Sequence, residues 1–177
     1  MKRVVLVTAL GVLAVALAAP PRTALAGSTW RGWDPGLREA SSRGRPVLVD
    51  VYTDWCGWCR RMDRDVYSRR DVQDYLARKF VTVKLNAESN EPARFEGQAY
   101  TSRTLAARFG VNGYPTTIFL SAKGGHLGNV PGYLPPEQFL LLLRYIGEGH
   151  LEKGESFQDF SRGAGGKSPG GARPARR

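Results

Sequence analysis

The sequence predicts an α/β fold: a central mixed β-sheet, assembled from a parallel βαβ unit and an antiparallel β-hairpin, flanked by helices. Three observations carry that prediction. VLVDVY, residues 47 to 52, is β-branched and apolar along nearly its whole length, as a strand covered on both faces requires. FVTVKLN, residues 80 to 86, repeats that character after an intervening helical pattern, which is the βαβ order. Further on, TTIFL (116 to 120) and HLGNV (126 to 130) flank the turn residues AKGG and read as a hairpin.

The elements follow in order. Asp34 before Pro35 reads as a helix N-cap followed by proline at the first helical position, and the helix runs to about Ser42, closed by Arg43, Gly44, Arg45 and Pro46. In the strand from 47 to 52, Asp50 interrupts the apolar run; a carboxylate there is costly unless it has a partner or a purpose. Next comes DWCGWC, residues 54 to 59, opening a helix that carries Met62 and Val66 inward, with a second helical stretch from 71 to 78. The polar segment from Ala87 to Tyr100 reads as a loop insertion, longer than ordinary connections. Ser102 is expected to cap the helix TLAARF, and Gly110 suits the position just past its end. Pro135, Pro136 and Glu137 start a last helix whose Phe139, Leu140, Leu143 and Ile146 share one face.

The ends of the chain differ from this middle. Lys2 and Arg3, an apolar run from Val4 to Ala19, and the small-x-small triplet Ala24, Leu25, Ala26 read as a cleaved secretory signal peptide over residues 1–26. The run is short against the roughly 20 residues of a membrane-spanning helix. With no cysteine nearby and no twin arginine, lipid anchoring is excluded and general secretion is the simpler route. Residues 161–177, rich in Gly and Pro and basic without an acid, read as a disordered tail. One domain is expected between them, residues 27–160. The formal charge of +10 is misleading: of 26 basic side chains, eight lie in the two ends, leaving 18 against 16 acids in the domain. A near-neutral domain gives no reason to expect nucleic acid as a partner.

Cys56 and Cys59 are the only cysteines. A disulfide used as a staple works by closing a loop of the unfolded chain, and joining positions three apart closes almost nothing. Reversible chemistry is better served. At a helix start the two side chains share a face with Cβ atoms roughly 5–6 Å apart, whereas a disulfide prefers about 3.5–4.5 Å, so the bond forms with local adjustment. Unpaired backbone N–H groups at the helix end stabilise a thiolate, so Cys56, exposed there, is expected to attack; Cys59, shielded one turn inside, resolves the mixed disulfide. Arg60 and Arg61 read as solvated. Metal binding is the other meaning of a CxxC spacing, but zinc needs two more ligands, and His126 and His150 read as separate surface histidines. Transient copper carriage stays an alternative.

VLVDVYTDWCGWCRRM, the later KLN and GVNGYPTTIFL, in that order, resemble the thioredoxin superfamily, and with the signal peptide the chain is similar to exported, thioredoxin-related proteins of the bacterial periplasm. The resemblance covers about residues 34 to 148. It implies that Cys56 is the nucleophile and Cys59 the resolving thiol of a redox-active disulfide, with no other cofactor. By the same resemblance Pro115 follows a cis bond from Tyr114, and both shape the docking groove. Asp50, six residues before Cys56, matches the family's buried aspartate, and Lys84 the lysine beside it; together they imply a base for Cys59. Trp55 matches the family's packing tryptophan, and Gly57 and Trp58 fill the gap between the cysteines, Trp58 open to substrate.

The function that follows is a periplasmic thiol:disulfide oxidoreductase, working mainly as a reductase of protein disulfides. Trp58 brings no charge and no imidazole to favour the thiolate, which points away from an oxidant. No flavin or nicotinamide motif is present, so a membrane thiol transporter is the expected electron donor, and the protein is expected to be a monomer. A thiol oxidase or disulfide isomerase, and a non-catalytic copper-binding or interaction module on the same fold, are the alternatives.

Overall fold

The computed structural model describes residues 29–165. The signal peptide assigned to residues 1–26, and residues 166–177 of the basic tail, lie outside the described residues.

Four strands form the main sheet in the order β2-β1-β5-β6. β1 (Val47–Tyr52) is central, parallel to β2 (Val81–Asn86) and antiparallel to β5 (Thr116–Leu120), which pairs in turn with β6 (His126–Pro131). Each expected strand is present. Because side chains alternate along a strand, β1 feeds two cores. Val47, Val49 and Val51 pack with Trp33, Leu105 and Phe109 on one face of the sheet. Leu48 packs with Met62, Leu76, Phe139 and Leu143 on the other, and Asp50 follows Leu48 in that alternation. The outer margin of β2 is met by a single bridge: Arg31 N–H donates to Thr82 O and accepts from Lys84 N–H through its own carbonyl, both at 3.0 Å.

Helix α1 (Trp33–Arg43) starts two residues earlier in capping than the sequence suggests, with Gly32 at the N-cap. The Asp34 carboxylate is engaged elsewhere, accepting from the Arg94 N–H at 2.8 Å, so a tertiary bond has displaced the local cap. Gly44, in the left-handed conformation at φ 62°, returns its N–H to Ala40 O and ends the helix. Gly36 is where α1 meets β2: a Cβ there would lie 2.2 Å from Val83 Cγ2. Val83 is fully buried and has nowhere to move. Gly36→Ala is therefore expected to destabilise the fold by about 1–3 kcal/mol through overpacking, read as a lower urea midpoint at unchanged m-value.

The segment from Ala87 to Tyr100 is not the loop expected of it. It contains a second, two-stranded sheet, β3 (Pro92–Phe95) and β4 (Gln98–Thr101), joined by Glu96 and Gly97, both at positive φ (49° and 78°). That pair suits the primed turns of two-residue hairpins. Ala93 and Phe95 point inward, and the Phe95 ring meets Trp33 at 5.8 Å and Phe109 at 4.9 Å, so the hairpin closes the first core. Outward-facing Arg94 and Glu96 make the stretch look polar in sequence. Helix α4 (Ser102–Arg108) is capped by Thr101 rather than Ser102: Thr101 and Thr104 satisfy each other's backbone N–H, while Ser102 is the first helical residue and buried.

Helix α5 (Pro136–Gly147) buries Phe139 and Leu143, with Leu140 and Ile146 partly buried beside them. A further helix, α6 (Phe157–Gly165), runs past residue 160, where the sequence places the start of the tail. It packs on α5 through Tyr145, whose ring meets Phe157 at 5.3 Å and Phe160 at 5.5 Å. His150 is part of this junction rather than a free surface histidine: it lies 4.5 Å from the Phe160 ring and pairs with Glu155 at 2.6 Å. Among the described residues no helix is long and apolar enough to cross a membrane.

Candidate active site

The chain leaves β1 at Tyr52, turns through Thr53 to Trp55, and enters helix α2 (Gly57–Met62) with Cys56 at its N-cap. Cys56 is extended there, and its Sγ accepts from the Cys59 N–H at 3.0 Å. Its N–H donates to Thr53 O and its carbonyl accepts from the Arg60 N–H, both at 3.2 Å. The sulfur therefore sits on the unpaired donors of the helix end, where a thiolate is favoured. A disulfide joins Cys56 to Cys59, with Cα atoms 5.3 Å apart. One expectation changes: in this oxidised state Cys56 is as covered as Cys59, at 4% and 5% exposure, and the open surface around the pair belongs to Trp55 and Trp58.

After Met62 the helix widens into a π-helical turn, Asp63–Tyr67, before α3 (Arg70–Lys79) begins. Such turns often mark functional sites because they re-aim side chains within a continuous helix. Here the turn presents Asp63 to the sheet. In the register, Asp50 stands between Lys84 on β2 and Thr117 on β5. The Lys84 Nζ lies 3.1 Å from Asp50 Oδ2, and donates to both oxygens of Asp63 at 2.6 and 2.9 Å. Its charge also faces the rings of Trp30 (5.2 Å) and Tyr52 (5.1 Å). Asp50 is 1% exposed. Burial pushes its carboxyl up to about 6, against the pull of Lys84. Burial also opposes the charge on Lys84, but the two carboxylates outweigh it and hold the ammonium above the usual lysine range.

Asp63 is a member of this site that the sequence reading omits. Its spacing was a usable signal: seven residues after Cys56 is two helical turns, hence the same face.

Aromatic side chains border the disulfide on two sides. Trp55, expected as a packing residue, is 65% exposed, donates to Glu88 Oε1 at 3.0 Å, and stands edge-on to Tyr114 at 6.0 Å. Trp58 is 54% exposed and tilts against Tyr133 at 5.7 Å. The Arg61 guanidinium lies over both of those rings, at 5.2 and 5.3 Å, and pairs with Asp65, so it is held in place rather than merely solvated. Trp58, Tyr114, Gly132 and Tyr133 line a groove of about 320 Å³, and Gly57, Trp58 and Arg61 a smaller recess of about 200 Å³. The Tyr114–Pro115 bond is cis, and the Pro115 carbonyl accepts from the Gly132 N–H at 2.8 Å. The structure thus brings the expected residues of the motif, the groove and the buried ion pair around one end of β1.

The sequence model of the thioredoxin-like domain family matches residues 33–147. The chain belongs to that family. Over 112 residues this thioredoxin-like domain is 35% identical to thiol:disulfide interchange protein DsbD of Ralstonia nicotianae, covering 63% of this chain and 17% of that protein. It is also 35% identical, over 102 residues, to the chloroplastic thioredoxin-like protein HCF164 of Oryza sativa subsp. japonica, covering 58% of this chain and 34% of that one. The chain therefore spans well under two thirds of the length of either relative. A thioredoxin from Thermus thermophilus superposes with a TM-score of 0.56 at 30% identity, over 71% of this chain and 96% of that one. A thioredoxin-fold protein from Helicobacter pylori shares the fold at a TM-score of 0.61 and 21% identity, over 70% and 82% of the two chains. A CxxC disulfide at the helix start of a thioredoxin-like domain is a thiol–disulfide oxidoreductase site: the pair can take up and release two electrons.

Proposed function

We propose that the protein is a periplasmic thiol–disulfide oxidoreductase that works mainly as a reductase of protein disulfides. The observation that carries the reading is the Cys56–Cys59 disulfide at a helix end, on the same side of the sheet as the buried Asp50 and Lys84. In the reduced protein the Cys56 thiolate attacks one sulfur of a substrate disulfide, forming a mixed disulfide while the other substrate sulfur leaves as a thiolate and takes up a proton. Cys59 then gives its proton to the Asp50 carboxylate and attacks Cys56 Sγ. The internal disulfide forms, and the second substrate thiol is released. An external dithiol, for which a membrane thiol transporter is the proposed source, returns the two electrons. Trp55, Gly57, Trp58, Tyr114 and Pro115 supply the surface on which an extended substrate segment docks.

Electrostatics favour the reducing direction. Stabilising a thiolate stabilises the reduced form and makes an oxidant. Behind this pair lie two carboxylates, Asp50 and Asp63, sharing one ammonium, and Arg61 is matched by Asp65. Within that buried cluster the surplus is one negative charge when Asp50 is ionised, and it opposes a further negative charge on the inner thiol, Cys59. Resemblance to a thiol:disulfide interchange protein supports exchange with disulfide partners, and the N-terminal signal supports export.

The test is the equilibrium reduction potential of the Cys56–Cys59 pair in dithiothreitol or glutathione buffers. A value near about −270 mV is expected; one near about −120 mV would reverse the direction and make the protein an oxidase.

A further inference from the structure

The second core holds a group that the exchange reaction, as described, does not use. Tyr67, the last residue of the π-helical turn, is buried, and its ring is fixed edge-on against Trp30 at 4.9 Å and Phe139 at 5.5 Å. Its hydroxyl has no hydrogen-bond partner among the described residues, and neither has Oδ1 of Asp50, the oxygen that Lys84 does not take. The two groups nevertheless act on one another. Burial first, and the Asp50 charge next, hold the Tyr67 phenol well above its ordinary value, and the hydroxyl draws the Asp50 carboxyl downward. Thr117, the cross-strand neighbour of Asp50, is the other group acting on the phenol.

A phenylalanine would fill the same ring site and spare the core an unpartnered hydroxyl, which is destabilising when buried. The hydroxyl therefore has a use other than packing. We propose that Tyr67 is a positioning residue for thiol–disulfide exchange: its hydroxyl closes onto the free oxygen of Asp50 when that carboxyl is ionised, and so holds the base that serves Cys59. The inference rests on the reading of Asp50 as that base. The charged and titratable groups acting on Asp50 are Lys84 from β2, Asp63 and Tyr67 from the π-helical turn, and Tyr52 from its own strand, beside the neutral Thr117 hydroxyl from β5. Of these, Tyr67 is a neutral donor whose buried hydroxyl has no other partner among the described residues, so it can approach Oδ1 without bringing a charge.

The test uses the full chain and the variants Tyr67→Phe and Asp50→Asn. Carbon-13 titration of the Asp50 carboxyl in oxidised protein should show its midpoint rising by about half a pH unit or more in Tyr67→Phe, because a hydrogen bond to the ionised form is lost. The pH–rate profile for resolution of a mixed disulfide on Cys56 should shift upward by the same amount, roughly a threefold loss of rate on the acid limb with the alkaline plateau retained. In the wild-type chain, the Tyr67 ring carbon bearing oxygen should shift at the Asp50 midpoint. An unmoved Asp50 midpoint in Tyr67→Phe, or a wild-type Tyr67 resonance blind to Asp50, overturns the proposal while leaving the base reading standing. If instead Asp50→Asn leaves the pH–rate profile unchanged, the base reading itself fails and the role of Tyr67 falls with it.

Discussion

Cys59→Ser protein, reduced and mixed with a disulfide substrate, is expected to accumulate one equivalent of mixed disulfide through Cys56 and to lose multiple turnover down to the uncatalysed background. Cys56→Ser should form no adduct at all. The asymmetry follows from the geometry. Cys56 Sγ receives the Cys59 N–H at the helix end, the setting that favours a thiolate, whereas Cys59 lies inside the first turn. Removing the inner sulfur leaves the first attack intact and deletes the step that frees Cys56. Mass spectrometry of the acid-quenched mixture reads the result directly. Equal adducts on both variants would mean that the two thiols are interchangeable and the assigned order is wrong. A purely structural pair would yield adducts on neither.

Asp50→Asn should stabilise the oxidised protein by up to about 3 kcal/mol at pH 8 and hardly at all at pH 4. Burial raises the Asp50 carboxyl from 3.8 to about 6. Between those two values the folded protein holds a proton that the unfolded chain has already released, so stability is fully present below about pH 4 and falls until about pH 6. A gap of about two units at 1.36 kcal/mol each gives the magnitude. Asparagine cannot ionise and removes the slope, while Lys84 keeps Asp63 as its partner at 2.6 Å. Urea unfolding of both proteins at the two pH values measures it. A less stable variant at pH 8 would show that the Asp50–Lys84 pair is net favourable despite its burial. The same substitution deletes the proposed base, so a gain in stability with a loss of resolving rate is the expected trade.

Much of this was readable from local pattern. Strands β1, β2 and β5 are dense in β-branched residues because they are covered, β6 was betrayed by the turn residues before it, and the limits of all four fall within a residue of expectation. The end of α1 is set by Gly44, a residue type suited to positive φ. What escaped depended on contacts remote in sequence. The β3–β4 hairpin buries only Ala93 and Phe95 against α1 and α4, so its outer face dominated its composition. Asp34 was drawn from its cap by Arg94, sixty residues on. Of the site, the motif, the cis bond at Pro115 and the contact between Asp50 and Lys84 were accessible through resemblance. Asp63 was signalled only by its two-turn spacing from Cys56 and Tyr67 by nothing, because the π-helical turn that aims them has no simple sequence period.

The placement of the indoles equips the molecule to report on itself. Trp55 precedes the first cysteine and Trp58 lies between the two, and both stand in solvent, while Trp30 lies against both Tyr67 and the Lys84 ammonium. Disulfides quench nearby excited indoles and thiols do so less. Emission from the exposed pair will brighten and dim with the redox state of the cysteines, at the red edge of the band. The half-buried Trp30, covered by Tyr67, emits further to the blue than the exposed pair and senses the charge balance around Asp50. One spectrum, resolved by wavelength, therefore carries two signals: the electrons on the sulfurs and the proton on the carboxyl.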